Sequence, residues 1–407
     1  MTHPPAFFRG NRARLAEALK GGLVVVTAYE EMQRRADMAF GFEQEASFWY
    51  LSGVDAPRWK LIYDGLRHHT WLVRPSIDEV TRVFDGEADS DELLQLSGAD
   101  EVIDEADFEQ LLRQLTRTHS TVHTIAPLPN DRYTFTNNPA ARQLMRMLER
   151  VFSAVNDCTI DIVRLRALKQ PNEIKALERA VSLTVDAFEA IRTGLDNCRY
   201  EYEVEAIATS IFRHRGAHHA YDPIVAAGSN ACTLHYLTNT ARLRKGQLVL
   251  CDIGAAVDGY AADITRTYSY GGATDRQQSV LAALADAHAA IIRLIKPGVS
   301  FETYQAEVDR IMAGALRSLG LTHDSDRQLV DRYMPHAISH GLGIDVHDRL
   351  GGYAEFQPGM VLTVEPGIYL PDEAIGTRIE DDILVTDKGR RILSGKLASN
   401  PDASLVS

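Results

Sequence analysis

Residues 247–268, QLVLCDIGAAVDGYAADITRTY, constrain the fold more than any other stretch of this chain. Apolar residues crowd 248–253, Asp258 and Gly259 supply a turn, and 260–268 resumes a strand-like pattern rich in Thr and Tyr. That pattern predicts two antiparallel strands. Asp252 falls near the end of the first and Asp263 in the middle of the second, so one face of the ladder can carry both carboxyls. Two ionised carboxylates that close repel, and the usual remedies are a shared proton or a bound cation. A lone Asp pair is more often two turn residues on a wet surface, so the rest of the chain must decide.

Three later segments add to the pair. MPHAISHGLGIDVHD holds His336, His340 and His347 within twelve residues, among small and apolar neighbours. Any one of them alone reads as a satisfied core histidine, whereas three together suit metal ligation or substrate positioning. MVLTVEPGIYL ends a buried-looking strand on Glu365, where a charge is costly unless paired or metal-bound. GTRIEDDILVT, read as one strand, puts Arg378, Glu380 and Asp382 on one face. Alone, Arg378 beside Glu380 is a plain same-face ion pair.

Asp252, Asp263, His340, Glu365 and Glu380 make four carboxylates and one imidazole. Oxygen-rich ligation with a single nitrogen suits Mn²⁺, Co²⁺ or Zn²⁺. Four carboxylates are too many for one catalytic zinc but suit two ions bridged by carboxylates about 3.5 to 4 Å apart. Such a pair activates water near neutral pH and polarises a carbonyl, which is the chemistry of amide hydrolysis. Gly228 and Gly271–Gly272 lack a phosphate-loop or dinucleotide spacing. His214, His218 and His219 read as a solvated helix end.

The 407 residues allow two or three domains, and 45% hydrophobic with 24% charged residues is ordinary for a globular chain. A formal net charge of −13 disfavours nucleic acid and anionic membranes as partners. No apolar run approaches the roughly 20 residues of a spanning helix, and the start MTHPPAFFRGNRARL has no secretory core. Cys158, Cys198, Cys232 and Cys251 are scattered without CxxC spacing, which predicts reduced thiols and a cytoplasmic location.

Residues 1–163 read as a smaller α/β domain, with strands at 23–27, 48–51, 61–63 and 69–73. Residues 164–407 form the second domain, where Pro171 opens a helix over 172–191. A helix at 202–215 and strands within 222–268 follow. The order then repeats, with helices at 276–295 and 304–319 before strands within 336–386. The repeat predicts an α+β domain of two pseudo-symmetric halves, with a site drawing on both.

Over 165–390 the motifs DIGxxxDGYxxDITRTY, HxxxHGLGIDVHD, TVEPGIY and RIEDDILVT closely resemble the pita-bread (creatinase/aminopeptidase-like) metallopeptidases, in the branch of aminopeptidase P and prolidase. FFRGNRARL and FEQEASFWYLSG resemble the N-terminal domain of that branch. The resemblance implies a dinuclear peptidase cutting Xaa-Pro bonds, with manganese preferred over cobalt or zinc. It implies Asp252 on one metal, Asp263 and Glu380 as bridges, and His340 and Glu365 on the other. It makes Glu365 the general base or proton shuttle as well, and His336, His347 and Arg378 catalytic. His235, His336, His347 and Tyr221 would meet the substrate, and a homodimer or homotetramer is expected.

An aminopeptidase acting on longer peptides is the leading reading, and a dipeptidase the alternative. The short segment between His347 and Glu365 leaves Arg349 as the candidate for holding a dipeptide's carboxylate. A peptide-binding protein without metals, or a metal-free hydrolase of a guanidino compound, is the opposing class. All five ligand positions carry the right residue types, which disfavours both.

Overall fold

Leu23–Thr27 (β1) is buried along its whole length, and a strand with no wet face belongs inside a sheet covered on both sides. The computed structural model describes residues 3–127 and 138–398. Its contacts divide the chain into Met1–Arg166 and Ala167–Ser407. In the first unit β1 pairs antiparallel with Lys60–Asp64 (β2), which pairs antiparallel with His69–Arg74 (β3). Glu101–Asp104 (β4), Thr121–Thr124 (β5) and Ala154–Asp157 (β6) complete the sheet in the order β4-β3-β2-β1-β5-β6.

The expected strand at 48–51 is instead part of the helix Ala46–Ser52 (α1). A short apolar run has no periodicity that separates strand from helix, and the flanking residues decide. The Glu45 carboxylate accepts from Phe48 N, and Gly53 closes the helix at φ 71°. Helices Glu105–Leu115 (α2) and Ala140–Val151 (α3) press Phe108, Leu112, Leu144 and Leu148 onto the sheet. No group of metal-binding side chains occurs among the described residues of this unit.

The second unit carries the repeat. Pro171–Gly194 (α4) starts with proline at its first turn and a Gln170–Glu173 capping box. It packs with Glu201–His214 (α5) on the sheet Ile224–Ala227 (β7), Gln247–Ile253 (β8) and Ile264–Tyr270 (β9). In the second half Asp275–Ile292 (α6), Phe301–Ser318 (α7) and Asp326–Tyr333 (α8) cover Val361–Val364 (β10), Gly367–Leu370 (β11), Ile375–Arg378 (β12), Asp381–Thr386 (β13) and Gly389–Ile392 (β14). The halves meet where Glu380 N donates to Thr265 O at 3.0 Å and Thr267 Oγ1 donates to Arg378 O at 3.1 Å.

Two further expectations are corrected. Helix α8, capped by Ser325 on Gln328 N, precedes the histidine segment, and 336–360 forms loops with isolated bridges rather than strands. His218–His219 is a short strand against Ala255 and Ala256, and His219 Nε2 lies 2.8 Å from Thr209 Oγ1, so the pair is no helix cap. Among the described residues no helix is long and apolar enough to cross a membrane.

Candidate metal centre and its cavity

Asp252 lies in β8, opposite Thr265 of β9. Asp263 does not sit mid-strand as expected, because the chain breaks between Tyr260–Ala261 and β9. There Ala262 N donates to Ala255 O, and a Cβ on Gly254 would come within 1.8 Å of Ala262 O. Only glycine permits that crossing. Glu380 occupies a second break, between β12 and β13, so Arg378, Glu380 and Asp382 do not share one face of a continuous strand.

The Arg378–Glu380 ion pair that those two residues alone suggest is replaced by a longer-range partner. The Arg378 guanidinium pairs with Asp252 Oδ2 and donates through Nε to Thr265 Oγ1 at 3.1 Å. Thr265 Oγ1 in turn donates to Glu380 Oε2 at 2.7 Å. One ligand atom each of Asp263, His340 and Glu380 lies within 4.8 Å of the others. Tyr221 OH joins Asp252 to the group, at 2.5 Å from Asp252 Oδ1 and 2.7 Å from Asp263 Oδ1. One hydroxyl proton serves only one of those oxygens at a time. His340 Nε2 stands 3.4 Å from both Asp263 Oδ2 and Glu365 Oε1.

The electrostatics state the same problem. Asp252, Asp263 and Glu380 are 7%, 5% and 2% exposed. Burial, then the charges of Asp263 and Glu365, hold the Glu380 carboxyl well above its ordinary value. Burial also pushes Glu365 up to about 7, with His340 and Arg378 pulling against it. Asp252 is raised by burial despite Arg378. Against the desolvation it suffers, Asp263 and Glu365 push the His340 imidazole up to about 9. Four carboxylates crowd round one arginine and one histidine, and without further cations the cluster holds its negative charge down by taking up protons. Divalent ions are the other remedy, and the donor set fits them. His340 is also preset as a ligand, since Nδ1 bonds Gly341 O at 3.0 Å and leaves Nε2 facing the carboxylates.

Around this floor lies a cavity of about 410 Å³, the size of a small-ligand pocket. His336 Nδ1 bonds Ala337 O at 2.8 Å, and Nε2 lies 3.0 Å from Tyr369 OH. Arg378 Nη1 donates to the same tyrosine oxygen at 2.9 Å, so the assignment satisfying every group runs Arg378 to Tyr369 to His336. Burial, then Arg378, pushes His336 down to about 4, which keeps its imidazole neutral at pH 7. His347 stacks edge-on to His340 with ring centroids 4.4 Å apart, and burial followed by the His340 charge lowers its pKa. His235 also lines the cavity, with Leu234 and Leu237. Arg349 does not line this cavity; its side chain is exposed and its backbone N–H donates to Asp348 Oδ1.

Tyr369, Thr265 and Thr363 were missed from sequence. Thr363 Oγ1 accepts from His340 N at 3.1 Å and reaches Glu365 Oε1 at 3.3 Å. All three sit inside or beside the motifs that carry the ligands, but their bonds form only across the fold.

The model of metallopeptidase family M24 matches residues 175–387, and that of the aminopeptidase P N-terminal domain matches residues 8–123. The chain is 30% identical to a Xaa-Pro aminopeptidase of Escherichia coli (strain K12), over 97% of this chain and 96% of the relative. It is 31% identical to Xaa-Pro aminopeptidase 3 of Mus musculus, over 91% and 78% respectively. The solved structure of Zn-substituted E. coli aminopeptidase P in complex with product superposes with a TM-score of 0.86 at 29% identity, covering 98% of this chain and 97% of that one.

Proposed function

The chain belongs to metallopeptidase family M24, in its aminopeptidase P branch, and from that premise we propose how the cavity works. The protein is a metallopeptidase that hydrolyses Xaa-Pro bonds, releasing the N-terminal residue of a peptide with proline second. The observation that carries this reading is near full-length kinship with Xaa-Pro aminopeptidases. The buried carboxylate cluster supplies its chemistry, and the dipeptidase alternative is not favoured.

The centre takes divalent metal, and we assign two Mn²⁺ ions to it, with Co²⁺ or Zn²⁺ as substitutes. Asp252 would hold one ion, Asp263 and Glu380 both, and His340 and Glu365 the other. When bound, the ions activate water near neutral pH and polarise the scissile carbonyl. Glu365 stands between His336 and His340, placed to accept a proton and return it to the leaving prolyl nitrogen. That nitrogen carries no N–H and its ring fixes the backbone, so the substrate must be held by its other groups. Neutral His336 and His347 face the cavity with His235, as partners for the substrate backbone. Tyr221 holds Asp252 and Asp263 together, and Arg378 steadies Asp252 and Tyr369. A cytoplasmic homodimer or homotetramer completes the proposal.

The test is hydrolysis of Arg-Pro-Pro and of Gly-Pro by metal-stripped protein, with and without added Mn²⁺. Metal-dependent cleavage of the tripeptide alone is expected. Cleavage of Gly-Pro would assign the dipeptidase, and no cleavage of either peptide with metal bound would favour a binding role.

A further inference from the structure

The segment 228–241 delivers His235 to the cavity with little apolar anchorage. His235 is exposed, Leu237 is 50% exposed, and only Ala231 and Tyr236 reach the small cluster of Ile224, Ala226 and Leu250. Beneath it lies a carboxylate. Glu201, the first residue of α5, is 0% exposed. Its Oε1 accepts from Ala227 N at 2.8 Å and Asn230 Nδ2 at 3.0 Å, and its Oε2 accepts from Tyr236 OH at 2.9 Å and Ala241 N at 2.8 Å. Ala227 N of β7 and three donors from the start, middle and end of the segment therefore converge on a single side chain. One helical turn on, Glu205 Oε2 accepts from Asn239 Nδ2 at 2.9 Å. Asn239 also binds Pro223 O and Val225 N.

We propose that Glu201, with Glu205 behind it, is a positioning residue that holds the 228–241 segment so that His235 faces the substrate. The proposal rests on the substrate role given to His235 above. A buried carboxylate pays a desolvation cost that only saturated hydrogen bonding offsets. Each donor is therefore held to one place, and the segment moves as a unit or not at all. His235 is the residue that this constraint serves, because it lies next to Tyr236 on the cavity side.

A double-mutant cycle on the whole protein separates this from general support of the fold. Glu201→Gln leaves one oxygen for four donors, and should lower kcat/KM on Arg-Pro-Pro about 10- to 100-fold with metal content unchanged. In a His235→Ala background the same change should cost less than about twofold. An equal loss in both backgrounds would overturn the proposal. Tyr236→Phe removes a single donor and serves if Glu201→Gln does not fold; it should lower kcat/KM about fivefold. Hydrogen exchange gives a readout independent of turnover: amides of 228–241 should exchange faster in both variants while β8 and β9 keep their protection. Unchanged exchange there would also overturn it. Wild-type protein that cleaves no Xaa-Pro peptide would defeat the functional reading instead, and the exchange result would still decide the clamp.

Discussion

Asp252, Asp263 and Glu380 lie in or directly beside strands β8, β9, β12 and β13, and His340 is bonded to β10 through Thr363 N, whereas His235, His336 and His347 ride on loops with no ladder of their own. The floor is placed by backbone pairing, including the bond from Glu380 N to Thr265 O that joins the halves. The rim is placed mainly by side-chain hydrogen bonds and ion pairs. Gly341 pairs with Asp348 across the histidine loop, and Lys169 Nζ meets Asp348 Oδ2 at 3.2 Å with both side chains almost fully buried. A Cβ on Gly343 would come within 2.2 Å of that carboxylate. The difference teaches that the floor is vulnerable to a change of charge and the rim to a change of position.

The strongest break is at the floor. Asp263→Asn or Glu380→Gln should lower turnover by at least about 1000-fold, with loss of bound metal and an unaltered circular dichroism spectrum. Normal peptide hydrolysis by either variant would remove the two-ion centre. Next comes the rim's tether: Lys169→Met strands a buried carboxylate and should cost about 3 kcal/mol in denaturant unfolding. A variant as stable as the parent would show that the loop stands without the pair.

The contrast sharpens with His347→Ala, expected to lower turnover about 100-fold while retaining metal. Parallel loss of metal, read by elemental analysis, would move His347 from rim to floor. The smallest effect lies under the floor, where His288 Nε2 is 3.4 Å from Asp381 Oδ2 and Arg266 holds the other carboxylate oxygen. Burial, only partly opposed by Asp381, pushes His288 down to about 4. From pH 6.5 to 4 the unfolded chain therefore binds a proton that the folded chain refuses. Stability should fall as pH drops through that window, by on the order of 1 kcal/mol per pH unit, and level off below it. His288→Gln should flatten the slope in Tm against pH; an unchanged slope would assign it elsewhere.

How much of this was legible varies with the range of the interaction. The strand 247–253 and the helix opening at Pro171 follow from apolar pattern and caps, which are local. The run 48–51 misled because its four apolar residues fit either state until Glu45 and Gly53 are counted. The break at Asp263 was hidden because it depends on Gly254 meeting Ala262 across the chain. Tyr369 lies inside the motif TVEPGIY, but its role is not legible there, since its partners His336 and Arg378 come to it only in the folded second half.

The residue types of the site, their order and the kinship that names the chemistry were determined by sequence alone, because side-chain chemistry and motif spacing are written along the chain. Tertiary structure decided who partners whom. Arg378 neutralises Asp252, 126 residues away, instead of Glu380 two positions on, because the strand break after Arg378 turns the guanidinium toward β8. Burial then makes that choice consequential, since a charge removed from water is stabilised only by what the fold sets against it.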